Sequence, residues 1–371
     1  MSSLILESLL VERFRTFDKL QIPELGKVNL IVGRNSVGKT CLLEALWLYA
    51  RRGNPSVIWE ILTRRDEYKE ILARTFDFDE AFAAISYMFH GREEIKQHSD
   101  KIRIGSSNIA DNNVTISIDY YATRINTDGT RNLEIMPSEE IIEIEDLQPR
   151  FTVELNSRLH QTYTINPSLY KRSSVQRSFE EIRSVFVSTS GIGKRQLAAL
   201  WDAIALTDLE DEVSSALRVI DKNIERISMV GERERDSAIY RYPIAKIREA
   251  KRPFPLRSLG DGMSRALGIA LSLVNSSNGI LLVDEFENGL HYSIQLDLWK
   301  LIFRIAKSLN IQVFATSHSW DCISTFQQAA SDDTDQQGML IRLERKKDEI
   351  AATLFNERKL SIATREQIEV R

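Results

Sequence analysis

The segment GRNSVGKT, residues 33–40, constrains the fold of this 371-residue chain more than any other feature. It matches the pattern G-x-x-x-x-G-K-[ST] and stands between a predicted strand over 27–32 and a predicted helix over 40–51. In this setting backbone amides and a helix N-terminus can surround phosphate groups. A glycine-rich turn with a chance lysine is the alternative. The pattern favours a phosphate-binding loop formed by Gly33, Arg34, Asn35, Ser36, Val37, Gly38, Lys39, Thr40 and Cys41.

A short apolar strand ending in two acids is the second feature. In GILLVDEFENG, residues 279–289, the strand delivers Asp284 and Glu285 at its carboxyl end, where open parallel sheets bind ligands. We expect Asp284, with Thr40, to hold magnesium and Glu285 to act as the general base toward water. A solvated strand end would explain the acids alone, but the phosphate loop upstream favours the catalytic interpretation.

Two further loops complete the candidate site. ATSHS, residues 315–319, follows another apolar strand and presents His318 as a partner for a γ-phosphate. SLGDGMSR, residues 258–265, opens a predicted helix, and its amides suit an anion near Ser258, Gly260 and Gly262. A lone histidine and an ordinary helix entry capped by Ser258 or Asp261 are the simpler interpretations.

The order of predicted elements indicates an α/β protein. Helices over 263–275 and 293–309 alternate with apolar strands over 279–285 and 311–316, as in a parallel sheet covered by helices. The middle differs: 101–167 shows the alternation of antiparallel strands, 195–227 has helical spacing, and 231–252 is charged and proline-containing. We therefore predict a core of 1–55 and 255–371. The inserted region, 56–254, would contain β-strands over about 101–167 and a helical arm over about 194–250.

Composition limits the functional class. Apolar residues make up 43% and charged residues 27%, as in globular proteins, and no apolar run reaches the roughly 18 residues of a membrane span. The N-terminal segment has Glu7 within its apolar run and lacks the pattern of a signal peptide, so we expect a cytoplasmic protein. The cysteines, Cys41 and Cys322, lack metal-binding spacing. The net charge of −4 means that any DNA contact would need a local basic patch.

Taken in order, the phosphate loop, SLGDGM, LLVDE, the segment 287–291 and ATSHS resemble the ABC-type ATPases of the RecF, SMC and OLD group. The start ILESLLVERFRTF, followed by VNLIVG, also resembles the N-terminal strands of that group. As a whole the set is similar to the stand-alone, OLD-like ATP-binding proteins of bacterial defence and genome maintenance. The resemblance implies Walker A at 33–40, a Walker B aspartate at Asp284, a catalytic glutamate at Glu285 and a switch histidine at His318. Residues 259–263 resemble the LSGGQ signature, although Gly260 and Met263 replace its serine and glutamine.

The resemblance also implies ATP and Mg²⁺ as cofactors and a homodimer or higher homo-oligomer. Each ATP would lie between Walker A of one copy and the signature loop of another. The chain shows no acidic cluster after His318 that resembles a Toprim domain, so we expect a separately encoded effector, a nuclease or toxin, or DNA as partner. A transporter ATPase and a non-hydrolysing scaffold are the alternatives. The position of the Q-loop is not predicted.

Overall fold

The computed structural model describes residues 4–69, 76–91, 100–107, 112–125, 130–136, 147–170, 181–233, 239–332, 338–347 and 349–356. The helices of these residues are α1 (Lys39–Ala50), α2 (Pro55–Arg64), α3 (Phe78–Ser86), α4 (Lys194–Asp202), α5 (Leu209–Arg218), α6 (Asp261–Val274), α7 (Tyr292–Ser308) and α8 (Trp320–Asp332). Their strands are β1 (Leu9–Phe14), β2 (Phe17–Ile22), β3 (Val28–Val32), β4 (Ile102–Gly105), β5 (Asn113–Ile125), β6 (Arg131–Ile135), β7 (Gln148–Leu155), β8 (Arg158–Thr164), β9 (Ser184–Val187), β10 (Ile224–Arg233), β11 (Ile239–Ile247), β12 (Phe254–Pro255), β13 (Ile280–Val283), β14 (Gln312–Thr316), β15 (Gly338–Lys346) and β16 (Glu349–Asn356). None of these helices combines the length and apolar character needed to cross a bilayer.

A six-stranded sheet in the order β16-β15-β3-β14-β13-β9 forms the centre of the fold. The five strands from β15 to β9 are parallel, and β16 adds to β15 in the antiparallel direction. Because parallel strands share one carboxyl edge, the loops after β3, β9, β13 and β14 open on the same side. The predicted α/β class is confirmed. β9 belongs to this sheet although its residues fall within the predicted insertion.

The second sheet is antiparallel and contains the predicted strands of the middle region together with β1 and β2. Its order is β2-β1-β4-β5-β7-β8, and β6 also pairs with β5. Helix α1 contacts β4 of this sheet and both β13 and β14 of the central sheet. Since apolar neighbours lie on both sides, α1 is buried from Leu42 to Ala50 rather than along one stripe.

The central sheet separates two apolar cores, one on each face. In β13, Ile280 and Leu282 pack on the α1 side, whereas Leu281 and Val283 pack with α5 to α8 on the other side. This period of two in a continuously apolar strand is what a parallel sheet covered on both faces requires. Packing on both faces of β13 therefore fixes the position of its carboxyl end, where Asp284 follows.

The helix predicted over 195–227 and the connector predicted over 231–252 were wrong in part. Helix α5 ends at Arg218, and Ile224 already belongs to β10, which pairs with β11 as a long antiparallel hairpin. The apolar spacing continued through the helix end because Ile224 and Ile227 are buried in the same core as α5. The tract that the sequence suggested was an exposed connector is therefore largely a strand pair packed on the protein.

Candidate functional site

The loop between β3 and α1 has the backbone of an anion-binding nest. Gly33, Ser36 and Gly38 all have positive φ, at 145°, 62° and 88°. A Cβ at Gly33 would overlap the carbonyl oxygen of Leu343, and one at Gly38 would overlap the methyl group of Thr16. Both glycines are thus required by packing as well as by backbone conformation. The helix that follows begins at Lys39 with Gly38 as N-cap and no side-chain cap, so its first amides face the loop.

Lys39 lies across this loop. Its Nζ donates to the carbonyl oxygens of Gly33, at 2.7 Å, and Arg34, at 3.0 Å. Burial lowers the pKa of Lys39, whereas nearby carboxylates, Asp284 first among them, raise it. The ammonium therefore sits between the phosphate loop and the acids at the end of β13.

Asp284 is the residue on which the site converges. It is only 5% exposed, and its carboxylate accepts hydrogen bonds from three threonine hydroxyls. Thr40 Oγ1 lies 3.0 Å from Oδ2, Thr316 Oγ1 2.6 Å from Oδ1, and Thr189 Oγ1 3.2 Å from Oδ2. These donors come from α1, β14 and the loop after β9. The predicted Thr40 and Asp284 are adjacent, and Thr189 and Thr316 were missed by the sequence analysis.

Glu285 follows in an unusual backbone conformation. Its φ of 46° lies in the left-handed region, which a non-glycine residue enters only where its surroundings hold it. Its amide donates to Thr316 Oγ1 at 2.8 Å. The Thr316 hydroxyl therefore accepts a hydrogen bond from the Glu285 amide and donates one to the Asp284 carboxylate. These two bonds connect both acids to β14.

Arg265 connects the SLGDGMSR helix to this centre. The side chain is buried, with Nη1 donating to Ser188 O at 2.6 Å and Nη2 to the carbonyls of Asp284 and Glu285 at 2.7 and 2.9 Å. Burial lowers the pKa of Arg265. The guanidinium pairs with backbone dipoles, and it joins the ends of β9 and β13 to α6. The sequence analysis assigned it no role, although it is the last residue of the segment SLGDGMSR.

The signature-like loop has an open helix N-terminus. Gly260, with φ of 103°, is the N-cap of α6, and no side-chain cap is present, so neither Ser258 nor Asp261 plays the capping role. Ser258 and Gly260 are exposed. No hydrogen bond in the described part of the chain joins 258–263 to the phosphate loop. A Cβ at Gly262 would lie 2.9 Å from the carbonyl oxygen of Gly289 in the same chain.

His318 lies in the loop after β14, at the same edge of the sheet. Its Nδ1 is 3.1 Å from Glu287 Oε1, and its backbone amide donates to that oxygen at 2.9 Å. The imidazole is 56% exposed, whereas Glu287 is 10% exposed. Within the phosphate loop, Arg34, Asn35 and Ser36 are exposed and Val37 is buried.

The back of α1 carries an ionic cluster that the sequence analysis also missed. Glu44, buried within α1, contacts Arg15 Nε at 3.0 Å and Arg65 Nε at 2.6 Å, and Arg15 also pairs with Glu67 at 2.8 Å. Burial raises the pKa of Glu44, although both arginines favour its charged form. Cys41 accepts from Arg65 at 3.5 Å, and burial raises the pKa of this thiol. The cluster anchors the β1–β2 turn behind the phosphate loop.

Comparison with known proteins indicates the family of this chain. The family model AAA_21, described as "AAA domain, putative AbiEii toxin, Type IV TA system", matches residues 28–321. A Helicobacter pylori protein named ATP/GTP phosphatase is 25% identical over 350 residues, covering 87% of this chain and 88% of that protein. RecF of Caldanaerobacter subterraneus subsp. tengcongensis, a DNA replication and repair protein, is 32% identical over 102 residues, covering 26% of this chain and 28% of RecF.

The fold has a counterpart among solved structures. An SMC head bound to the C-winged helix domain of ScpA superposes with a TM-score of 0.52 at 12% identity, covering 94% of this chain and 97% of the SMC head. This likeness concerns the fold alone. The family match spans more than half of the residues. The chain therefore belongs to the AAA-domain family described above, and its fold is that of the ABC-type P-loop ATPases of the RecF and SMC group.

Proposed function

We propose that this protein binds ATP together with Mg²⁺ and hydrolyses the bond between the β- and γ-phosphates of ATP. The observation that carries the proposal is the convergence of Thr40, Thr316 and Thr189 on the buried carboxylate of Asp284, beside Lys39 and the phosphate loop. A carboxylate surrounded by hydroxyls at the end of a phosphate loop is suited to nucleotide with a hard cation. The name of the Helicobacter pylori relative, ATP/GTP phosphatase, supports the same reaction.

The residues at this point fit magnesium. Thr40 and Asp284 supply hydroxyl and carboxylate oxygens, the ligand type that Mg²⁺ prefers. Magnesium in nucleotide sites usually takes one or two protein ligands and completes its shell with phosphates and water, so a larger acidic cluster is not needed. When bound, the cation would neutralise charge that develops on the phosphates.

The residues of this site would have different roles in hydrolysis. Lys39 and the amides of 33–40 bind and orient the outer phosphates. Asp284, whose carboxylate accepts from three threonine hydroxyls, would hold the cation together with Thr40. Glu285, set apart by its backbone conformation, accepts the proton of the attacking water as general base. The hydrogen bond from its backbone N–H to Thr316 Oγ1 restrains the backbone of Glu285 without using the carboxylate.

The second part of the proposal is that two copies complete the site. The exposed, uncapped N-terminus of α6 at 260–262 would face the γ-phosphate held by the phosphate loop of another copy. ATP would then control contact with a separately encoded effector, a nuclease or toxin, or with DNA, in the cytoplasm. The family description, the RecF relative and the ScpA-bound SMC head support partners of this kind.

The binding step is tested by Lys39→Ala. Loss of the ammonium removes the main cation on the outer phosphates, so we expect affinity for a labelled ATP analogue to fall by at least roughly 100-fold. Equilibrium binding of the folded variant provides the readout, with Lys19→Ala as control, because Lys19 is an exposed residue of β2 that pairs with Glu12 of β1. Binding by Lys39→Ala as tight as by Lys19→Ala would refute the nucleotide site.

A further inference from the structure

The hairpin turn between β1 and β2 contains a residue type that its backbone does not favour. Only Arg15 and Thr16 stand between Phe14 and Phe17, which pair across the two strands. Arg15 has φ of 51°, and two-residue hairpin turns usually place glycine, asparagine or aspartate in this left-handed region. An arginine keeps such a conformation only where its surroundings compensate for the strain. The contacts of the Arg15 side chain supply that compensation.

The Arg15 side chain is enclosed by carboxylates from α1 and from the segment that follows α2. Its Nη1 and Nη2 donate to the two carboxylate oxygens of Glu67, at 2.9 and 2.8 Å, and its Nε lies 3.0 Å from Oε2 of Glu44 as an ion pair. The side chain is only 2% exposed, and the backbone N–H of Arg15 donates to Met88 O at 3.0 Å. The guanidinium is therefore occupied by protein groups and is not available to a nucleotide phosphate. It connects the turn to α1.

The same turn packs directly on the phosphate loop. A Cβ at Gly38 would lie 2.5 Å from Cγ2 of Thr16 and 2.9 Å from Cζ of Phe17, so the two residues after Arg15 limit the space for the Gly38 backbone. Gly38 is the N-cap of α1, and its carbonyl oxygen accepts from the Leu42 amide at 2.9 Å. A displacement of the turn would therefore change the orientation of the amides at the start of α1, which face the phosphates.

We propose that Arg15 is a positioning residue for nucleotide binding. By holding the β1–β2 turn against α1, it keeps Gly38 and the amides that follow in the conformation that binds the outer phosphates. The effect on nucleotide rests on the proposed ATP-binding function, whereas the local order of the phosphate loop is a property of the protein alone. Among the described residues, neither Asp284 nor Glu285 forms a hydrogen bond or ion pair with Arg15, so the effect falls on ATP affinity rather than on the catalytic step.

Arg13 offers a matched control in the same hairpin. It is also an arginine with a left-handed φ, 56°, and it also pairs with two acids, Asp18 at 3.1 Å and Asp100 at 3.0 Å. Its side chain is 42% exposed, however, and neither acid belongs to α1. Arg13→Gln therefore removes a comparable set of ion pairs and leaves the contact between the turn and α1 intact.

The order of the loop is measured without nucleotide, by hydrogen–deuterium exchange of peptides covering residues 33–45 in the full chain. Arg15→Gln should accelerate this exchange by roughly tenfold, because the turn no longer holds Gly38, whereas Arg13→Gln should stay within about twofold of wild type. Arg15→Lys keeps the charge and can pair with one carboxylate, so its exchange should be intermediate. Equal exchange in Arg15→Gln and wild type would overturn the positioning role whether or not the chain binds ATP.

The functional part is measured by ATP affinity and turnover together. We expect Arg15→Gln to weaken ATP binding by roughly tenfold, while kcat at saturating ATP stays within about threefold of wild type. Arg15→Lys should recover part of the affinity, and Arg13→Gln should bind as wild type does. Glu44→Gln should weaken binding as well. The double variant of Arg15→Gln and Glu44→Gln should lose no more affinity than about the larger single loss, since both residues act through one contact.

Three results would overturn the functional part. Binding by folded Arg15→Gln as tight as by Arg13→Gln would mean that Arg15 contributes only to the stability of the fold. A lower kcat with unchanged affinity, or additive losses in the double variant, would place its action elsewhere. If Arg15→Gln does not fold, Arg15→Lys decides the same points by exchange and affinity. If wild type binds no ATP, the proposed function fails, and the exchange measurements still decide whether Arg15 positions the loop.

Discussion

At the scale of single residues, the backbone conformation of Glu285 depends on its hydrogen bond to Thr316. A left-handed φ at a non-glycine residue costs about 1–3 kcal/mol and persists only when neighbours enforce it. Here Thr316 supplies that restraint, because its hydroxyl accepts from the Glu285 amide and donates to Asp284. We interpret this strained backbone conformation as the feature that allows the consecutive residues Asp284 and Glu285 to have different roles.

Thr316→Val tests this dependency. Valine keeps the shape of the buried threonine and removes its hydroxyl, which leaves the Glu285 amide unpaired at a cost of about 1–3 kcal/mol. We expect kcat to fall by roughly tenfold or more, with ATP binding largely retained. Steady-state phosphate release provides the readout, and Thr325→Val, at a half-buried position of α8 whose hydroxyl bonds within the helix, is the control. Equal turnover in both variants would show that the hydroxyl does not position Glu285.

The residues of the site differ in how far sequence alone could identify them. Gly33 to Thr40 form one local pattern, and Asp284 with Glu285 form another, so both could be recognised by spacing. Thr189 could not be recognised in this way, because it is 95 residues from Asp284 in the sequence and contacts it only through the pairing of β9 with β13. No local pattern marks a threonine that acts by sheet topology. The catalytic roles of Glu285 and His318 stay predictions.

At the scale of elements, α6 is joined by hydrogen bonds of the Arg265 side chain to the strand end that carries the two acids. Arg265 reaches from α6 to the carbonyls of Ser188, Asp284 and Glu285. These oxygens lie just after the ends of β9 and β13; Ser188 O and Glu285 O also accept from the backbone amides of Gly191 and Asn288, whereas Asp284 O depends on Arg265 among the described residues. The element that starts with the signature-like loop is therefore mechanically linked to the acids by hydrogen bonds.

Arg265→Met measures this link. Methionine preserves much of the buried volume and leaves the carbonyl oxygen of Asp284 without its donor, so the free energy of unfolding should fall by roughly 1–3 kcal/mol. Urea unfolding followed by circular dichroism provides the measurement. Arg304→Met is the control, because the Arg304 bridge to Glu212 is half exposed and is worth less than about 1 kcal/mol. Equal midpoints for the two variants would contradict the role of Arg265.

The β10–β11 hairpin shows where element prediction from sequence failed. Pro243 was interpreted as a sign of a connector, yet it pairs opposite Met229 within the hairpin. On the other side of β11, β12 pairs with Ile244 and Ala245 and not with Pro243, so there the missing N–H of the proline costs no strand pairing. The helical spacing ran on into β10 since both elements bury apolar side chains against the same core. Local periodicity could not locate the change from helix to strand.

At the scale of the whole molecule, the proposal requires two copies and a signature-like loop free to meet the second one. Gly262 is not a suitable position for testing this, because a side chain there would meet the carbonyl oxygen of Gly289 in its own chain. Ser258 is exposed and lies in the same loop. Variants at Ser258 can therefore alter an intermolecular contact with little effect on the monomer.

Glu285→Gln should accumulate as an ATP-held pair. The amide keeps the size of the side chain but cannot accept a proton, so the intact triphosphate would continue to bridge two copies. Light scattering should show the mass doubling on addition of ATP and magnesium. Adding Ser258→Glu should abolish the doubling through repulsion of the phosphates, whereas Ser228→Glu, on exposed β10, should not. A mass that does not depend on ATP would contradict the shared site.

Phosphate release from saturating ATP and magnesium by wild type and Glu285→Gln tests the central claim most directly. The account predicts a continuous release by wild type and a rate at least roughly 100-fold lower for the variant, while the variant still binds ATP. Equal rates for the two proteins would show that Glu285 is not the base. A wild-type rate no higher than that of Lys39→Ala would contradict ATP hydrolysis at this site.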